Sequence, residues 1–180
     1  MAGRLQGKIA LVVGAGSVGE GWGNGKATAV AFAREGAKVA CLDLKREAAQ
    51  VTADIIAGEG GEAMAIAADV VENAQVEAAV AAVRARWGRI DVLHNNVGIT
   101  GKGGPVEESE ESWDRVMAVN VKSMFLTCKH VLPLMIDQGG GSLINISSRA
   151  GIRWTGYSAL SDAASPAAVI NFPRGVAIQH

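Results

Sequence analysis

The sequence predicts an α/β fold, a doubly wound parallel sheet covered by helices on both faces. Three observations carry this expectation. Short apolar runs and helix-period segments alternate along almost the whole chain. Six glycines fall between Gly14 and Gly25, directly after the apolar run Ile9-Ala10-Leu11-Val12-Val13. A second apolar run, Lys38-Val39-Ala40-Cys41-Leu42-Asp43, ends in a carboxylate.

The elements follow in order. The first strand is Ile9 to Val13, and two registers fit the glycines behind it. Gly14-x-Gly16-x-x-Gly19 would start a helix near Gly19 and enclose Gly21, Gly23 and Gly25, each costing about 1 kcal/mol relative to alanine. A start after Asn24 or Gly25 avoids those penalties and leaves an unusually long loop. The helix then runs to Glu35 and stops at Gly36, so residues 8–43 make one βαβ unit. A helix from Arg46 to Ala57 and a strand from Ala63 to Ala68 come next, closed by Asp69. A helix from Asn73 to Trp87 stops at Gly88 and leads into the strand Ile90 to His94. Ser109, followed by Glu110 and Glu111, caps a long helix that ends before Gly139-Gly140-Gly141. Trp113, Met117, Val121, Met124 and Phe125 are expected to face a core, with a kink at Pro133. Ser142 to Ser147 is the fifth strand.

Glycines between a strand and a helix let the backbone turn sharply and bring its N–H groups close to a pyrophosphate, at the positive end of the helix dipole. The expected ligand is a dinucleotide. An acid at the tip of the second strand meets the adenosine ribose hydroxyls and repels a 2′-phosphate, so Asp43 favours NAD over NADP. Its plainer alternative is a cap on the next helix. A nucleotide-triphosphatase P-loop fails on spacing, because Glu20 and Ala27 stand where a glycine and a metal-binding hydroxyl belong.

The 180 residues suit one domain, residues 1–180, and 49% hydrophobic content suits a globular core. Seventeen basic and eighteen acidic residues give a net charge of -1 without a basic stripe, which argues against nucleic acid. No apolar stretch reaches membrane-spanning length and no cleavable hydrophobic leader opens the chain, so a cytoplasmic location is expected. Cys41 and Cys128 lack metal-type spacing and read as core residues. No metal site is expected.

Taken together, the glycine cradle, Asp43, Asp69-Val70, Asn95-Asn96-Val97-Gly98, Asn120 within Met117-Ala118-Val119-Asn120-Val121, and Ile144-Asn145-Ile146-Ser147-Ser148 resemble the short-chain dehydrogenase/reductase family in kind and order. The resemblance covers about the first 150 residues. It implies a Rossmann-type sheet and NAD-dependent hydride transfer between a secondary alcohol and a ketone. Gly14, Ser17, Gly23 and Asn24 would then line the pyrophosphate, Asp43 the ribose, and Asp69 with Val70 the adenine edge. Asn96 and Gly98 would shape the nicotinamide floor, Ser148 would stabilise the substrate oxygen, and Asn120 would organise a proton-feeding water chain. Without the family pattern, Asp69 reads as a strand-end cap, Asn96 as a turn residue and Ser148 as a hydroxyl bonding backbone.

The family's chemistry also needs a tyrosine and, four residues later, a lysine that favours the phenolate. Aligned on Ala167-Ala168-Val169, this chain has Asp162 and Pro166 in those positions. The single tyrosine is Tyr157, and no lysine follows Lys129. A carboxylate (pKa about 3.9, against about 10 for a phenol) matches neither the driving force nor the reach of the phenol. Pro173 and Gly175 are expected to break or fray the last helix. The family's further strands do not follow Gln179-His180, which suggests a truncated chain with its fifth strand as an exposed edge. The sequence therefore leaves two readings open. One is an oxidoreductase acting on a small alcohol or ketone. The other, favoured for the polypeptide as written, is a catalytically silent NAD-binding module. A doubly wound methyltransferase is a remoter third. Trp22 and Arg153-Trp154 either line a pocket or serve packing. By resemblance, intact relatives are homo-oligomers.

Overall fold

A computed structural model describes residues 3–179. Five strands form one parallel sheet in the order β3-β2-β1-β4-β5. They are β1 (Ile9–Val13), β2 (Lys38–Asp43), β3 (Ala63–Ala67), β4 (Val92–Asn95) and β5 (Ser142–Asn145). The helices are α1 (Asn24–Arg34), α2 (Arg46–Gly58), α3 (Asn73–Trp87), α4 (Glu110–Met117), α5 (Ser123–Asp137) and α6 (Leu160–Gln179). The α/β class and the doubly wound Rossmann-type sheet agree with the sequence reading.

β1 lies at the centre and is buried along its whole length, so its side chains feed two cores in alternation. Ile9, Leu11 and Val13 pack with Val76, Val80 and Val83 of α3 and Leu126, Val131 and Met135 of α5. Ala10 and Val12 pack with Ala29 and Val30 of α1 and Ala53 and Ile56 of α2 on the other face. Chain order reverses between β1 and β4, which both pair with parallel register at Ala10↔Val92 to Val13↔Asn95. This switch point opens a crevice at the carboxyl ends of the strands. Burial pushes the thiols of Cys41 and Cys128 up to about 12 and about 11, as befits inert core residues.

Two expectations need correction. Phe125 does not face the core; it is about half exposed, at 48%. The long helix is interrupted at Ala118–Lys122 by a π-helical turn, whose extra residue shifts the apolar stripe so that Met124 and Leu126 take the buried positions. As expected, the helix continues past Pro133 to Asp137. The last helix, expected to be broken, is continuous over Leu160–Gln179 with Pro166 and Pro173 inside it. Packing accounts for its first half, where Ser161, Asp162, Ser165, Pro166 and Val169 form a buried face and tertiary contacts of that kind override local propensity; nothing in the structure explains its continuity past Pro173.

His94 sits in β4, 4% exposed, with Phe32 against its ring edge-on at 5.9 Å between centroids. Burial lowers its pKa from the ordinary 6.5. Above that value the imidazole is neutral in both folded and unfolded chains. Below it the unfolded chain takes up a proton that the folded chain refuses, so stability falls with falling pH. Urea unfolding between pH 7 and pH 5 should show this slope, and His94→Leu should flatten it.

Candidate dinucleotide site at the switch point

The loop after β1 turns at Gly14, whose φ of +78° suits glycine, while the Gly14 and Ala15 amides both donate to the Leu42 carbonyl. α1 then begins at Asn24, with Gly23 as its N-cap, in agreement with the late-start register. A Cβ on Gly25 would lie 1.8 Å from the Gly14 carbonyl oxygen and 2.8 Å from Asn96 Nδ2. α1 can approach the end of β1 this closely only with glycine there. Asn96 Nδ2 donates to the same Gly14 oxygen at 3.3 Å, tying the end of β4 to the turn.

Ser17 works inside the loop. Its hydroxyl accepts from the Gly23 amide at 2.9 Å and donates to the Gly21 carbonyl, to which Lys26 Nζ also donates at 2.8 Å. These bonds give the long loop a defined shape despite its glycines, and leave Asn24 exposed at the helix start. At the tip of β2, Asp43 Oδ2 accepts from the Gly16 amide at 2.9 Å and Oδ1 from the Lys45 amide at 3.2 Å. A Cβ on Gly16 would strike Asp43 Oδ2 at 2.7 Å and Ala48 Cβ at 2.6 Å. Gly16 and Gly25 were not singled out from sequence as site residues, although their place in the glycine run was visible.

Past β3, Asp69 Oδ1 accepts from the Val71 amide at 3.1 Å, and Gln75 Oε1 accepts from the Asp69 amide at 2.8 Å. Val70 buries its side chain in the α3-side core. Gly98 is exposed, and a Cβ there would meet only Asn120 Oδ1, at 3.6 Å. Asn120 lies in the π-helical turn. Its Oδ1 accepts from the Ile99 amide at 2.8 Å, and its Nδ2 donates to the Ile99 carbonyl and to Ser165 Oγ, both at 2.9 Å. One side chain thus joins the β4 loop, the π-turn and α6.

Ser148 is exposed just after β5, and its hydroxyl accepts from the Ala150 amide at 3.2 Å to cap the short turn Arg149–Gly151. Its neighbour Ser147 donates to the Pro166 carbonyl at 2.9 Å. Glu108 serves the start of α6: Oε2 accepts from the Ser161 amide at 3.1 Å and Oε1 from the Ser161 hydroxyl at 2.5 Å. The Ser161 hydroxyl in turn holds the Glu108 carboxyl below its ordinary range. Asp162 is 7% exposed and accepts a hydrogen bond on Oδ2 from the Tyr157 hydroxyl at 3.1 Å. Trp22 and Trp154 are largely exposed at this edge, so neither serves core packing. Among the described residues no His, Cys, Asp and Glu cluster fits a metal, and no helix is long and apolar enough to cross a membrane.

Residues 8–180 match the family model for short chain dehydrogenase. The chain belongs to the short-chain dehydrogenase/reductase family. An uncharacterized oxidoreductase from Thermotoga maritima is 42% identical over 180 residues, 98% of this chain and 67% of that protein. The crystal structure of a short-chain dehydrogenase/reductase from Burkholderia xenovorans superposes with a TM-score of 0.96 at 47% identity, covering 99% of this chain and 71% of its own. A 7α-hydroxysteroid dehydrogenase complexed with NADH and 7-oxo glycochenodeoxycholic acid superposes at 0.89 with 31% identity, covering 98% and 66%. The chain therefore spans about two thirds of the length of these relatives. They support an oxidoreductase of the family's general kind.

Replacing Gly25 by alanine should force α1 away from β1. The variant is expected to lose about 3 kcal/mol of stability or fail to fold, read by urea denaturation, whereas Gly19→Ala, where a Cβ meets nothing within 4 Å, should cost little.

Proposed function

We propose that this chain binds NAD(H) in preference to NADP(H) at the switch-point crevice and belongs to an oxidoreductase that interconverts a secondary alcohol and a ketone. The observation that carries the proposal is the Asp43 carboxylate, held at the tip of β2 by the Gly16 and Lys45 amides beside the glycine loop. A pre-oriented carboxylate there accepts hydrogen bonds from both adenosine ribose hydroxyls and opposes a 2′-phosphate. The loop at 14–25 and the N-terminus of α1 would face the pyrophosphate, and the Asp69–Val71 turn the adenine. Asn96 and Gly98 would underlie the nicotinamide, with Ser148 toward the substrate oxygen and Asn120 toward the proton supply. A bound nicotinamide would supply the hydride chemistry. The chain's own residues bind, orient and exclude water.

A second reading, a dinucleotide-binding chain without turnover, is favoured by Asp162 and Pro166 standing at the family's tyrosine and lysine positions. Asp43→Ala tests the first reading at its cofactor step. The ratio of NADP(H) to NAD(H) dissociation constants, from fluorescence titration, should narrow by about tenfold, or 1.4 kcal/mol. An unchanged ratio would leave Asp43 a cap of the following turn.

A further inference from the structure

We propose that Lys26 is a diphosphate-binding residue, whose ammonium pairs with the negative charge of the dinucleotide at the start of α1. The inference deepens the dinucleotide reading above and rests on it. Lys26 is 7% exposed, and its Nζ donates to the Gly21 carbonyl at 2.8 Å. The same carbonyl accepts from the Ser17 hydroxyl at 3.2 Å, which in turn accepts from the Gly23 amide at 2.9 Å. This chain of bonds places the ammonium inside the glycine loop and links it to the N-cap of α1.

Nothing acidic balances the charge. Among the described residues Lys26 makes no ion pair, and the first turn of α1 carries no acid. Asp43, the acid bonded to this loop, accepts from the Gly16 and Lys45 amides instead, and Glu20 is exposed without an ion pair. Lys26 is also the third residue of α1, where unpaired amides already give the helix end a partial positive charge, so the dipole opposes an ammonium there. Covering a lysine this far without a counter-charge is unfavourable too. An anion at the helix start removes both penalties at once.

The placement suits a ligand entering from solvent. Gly25, Lys26, Ala29 and Val30 form the buried stripe of α1, a position that ordinarily takes an apolar side chain. Helical side chains lean toward the N-terminus of their helix, so the Lys26 stem lies covered while its head reaches a residue five positions earlier. That residue, Gly21, is exposed, as is Asn24 at the helix start. The Gly21 carbonyl takes one ammonium proton, and the others remain as donors. A diphosphate, with acceptor oxygens and a charge on each phosphate, can engage the α1 amides and the ammonium together. Loop shape alone does not call for a charge, since a neutral donor would hold the Gly21 carbonyl.

The test uses the full chain with Lys26→Met, which removes charge and hydrogen bond, and Lys26→Gln, which removes the charge but keeps a donor for Gly21. The probes are ADP-ribose, which carries the diphosphate, and adenosine, which does not, with dissociation constants read by chemical-shift titration. Each variant should bind ADP-ribose at least about tenfold more weakly than wild type and bind adenosine alike. Wild-type affinity for ADP-ribose should weaken with added salt, more steeply than that of the variants. Unchanged affinity for ADP-ribose, recovery in Lys26→Gln, or an equal loss for adenosine would each overturn the role of Lys26 while leaving the dinucleotide reading intact. Salt-independent binding of ADP-ribose by the wild type would do the same even if neither variant folds. A wild-type chain that binds neither probe would overturn both.

Discussion

The arrangement of this molecule depends on one close contact, that of Gly25 at the start of α1 against the Gly14 carbonyl at the end of β1. Without a Cβ at residue 25, helix and strand meet backbone to backbone, and the first turn of α1 opens onto the carboxyl edge of the sheet. The same carbonyl accepts from Asn96, so the contact also fixes where the β4 loop begins. Because β1 and β4 flank the switch point, one oxygen atom sets the geometry of the crevice from both sides.

From that point the edge is organised by short polar side chains bonded to backbone rather than by ion pairs. Asp43 is held by two amides, Asp69 by one, and Ser17 by the loop it closes. The six ion pairs of the described residues lie elsewhere: several are at least a third exposed on both sides, and exposed pairs add little to stability. On the α6 side, Asn120, Ser147 and Ser165 tie the π-turn, the end of β5 and α6 together. These bonds, and the buried face around them, hold the first half of α6, including Pro166.

Much of this was legible in the sequence, for physical reasons that differ by element. β1 and β2 announce themselves as short apolar runs because strands buried on both faces can be read without alternation. A late start for α1, near Asn24 or Gly25, was readable because glycines inside a helix are costly, although the helix does enclose Gly25. Asp43 was visible as an acid at a strand tip, although the Gly16 amide that orients it was not, since that bond spans 27 residues. The π-turn around Asn120 left no local mark, and it moved Phe125 off the core face. The continuity of α6 through Pro166 was hidden for the opposite reason: that proline was conspicuous, whereas the Ser147 and Asn120 bonds that hold the helix there are long-range.

The central claim is that the edge built around Gly14 and Gly25 receives a dinucleotide. Hydrogen–deuterium exchange of the chain with and without NADH tests it most directly, because it reports location as well as binding. The account predicts slowed exchange confined to residues 14–25, 43–45, 69–71 and 96–98. Protection elsewhere, or none at saturating NADH, would contradict it.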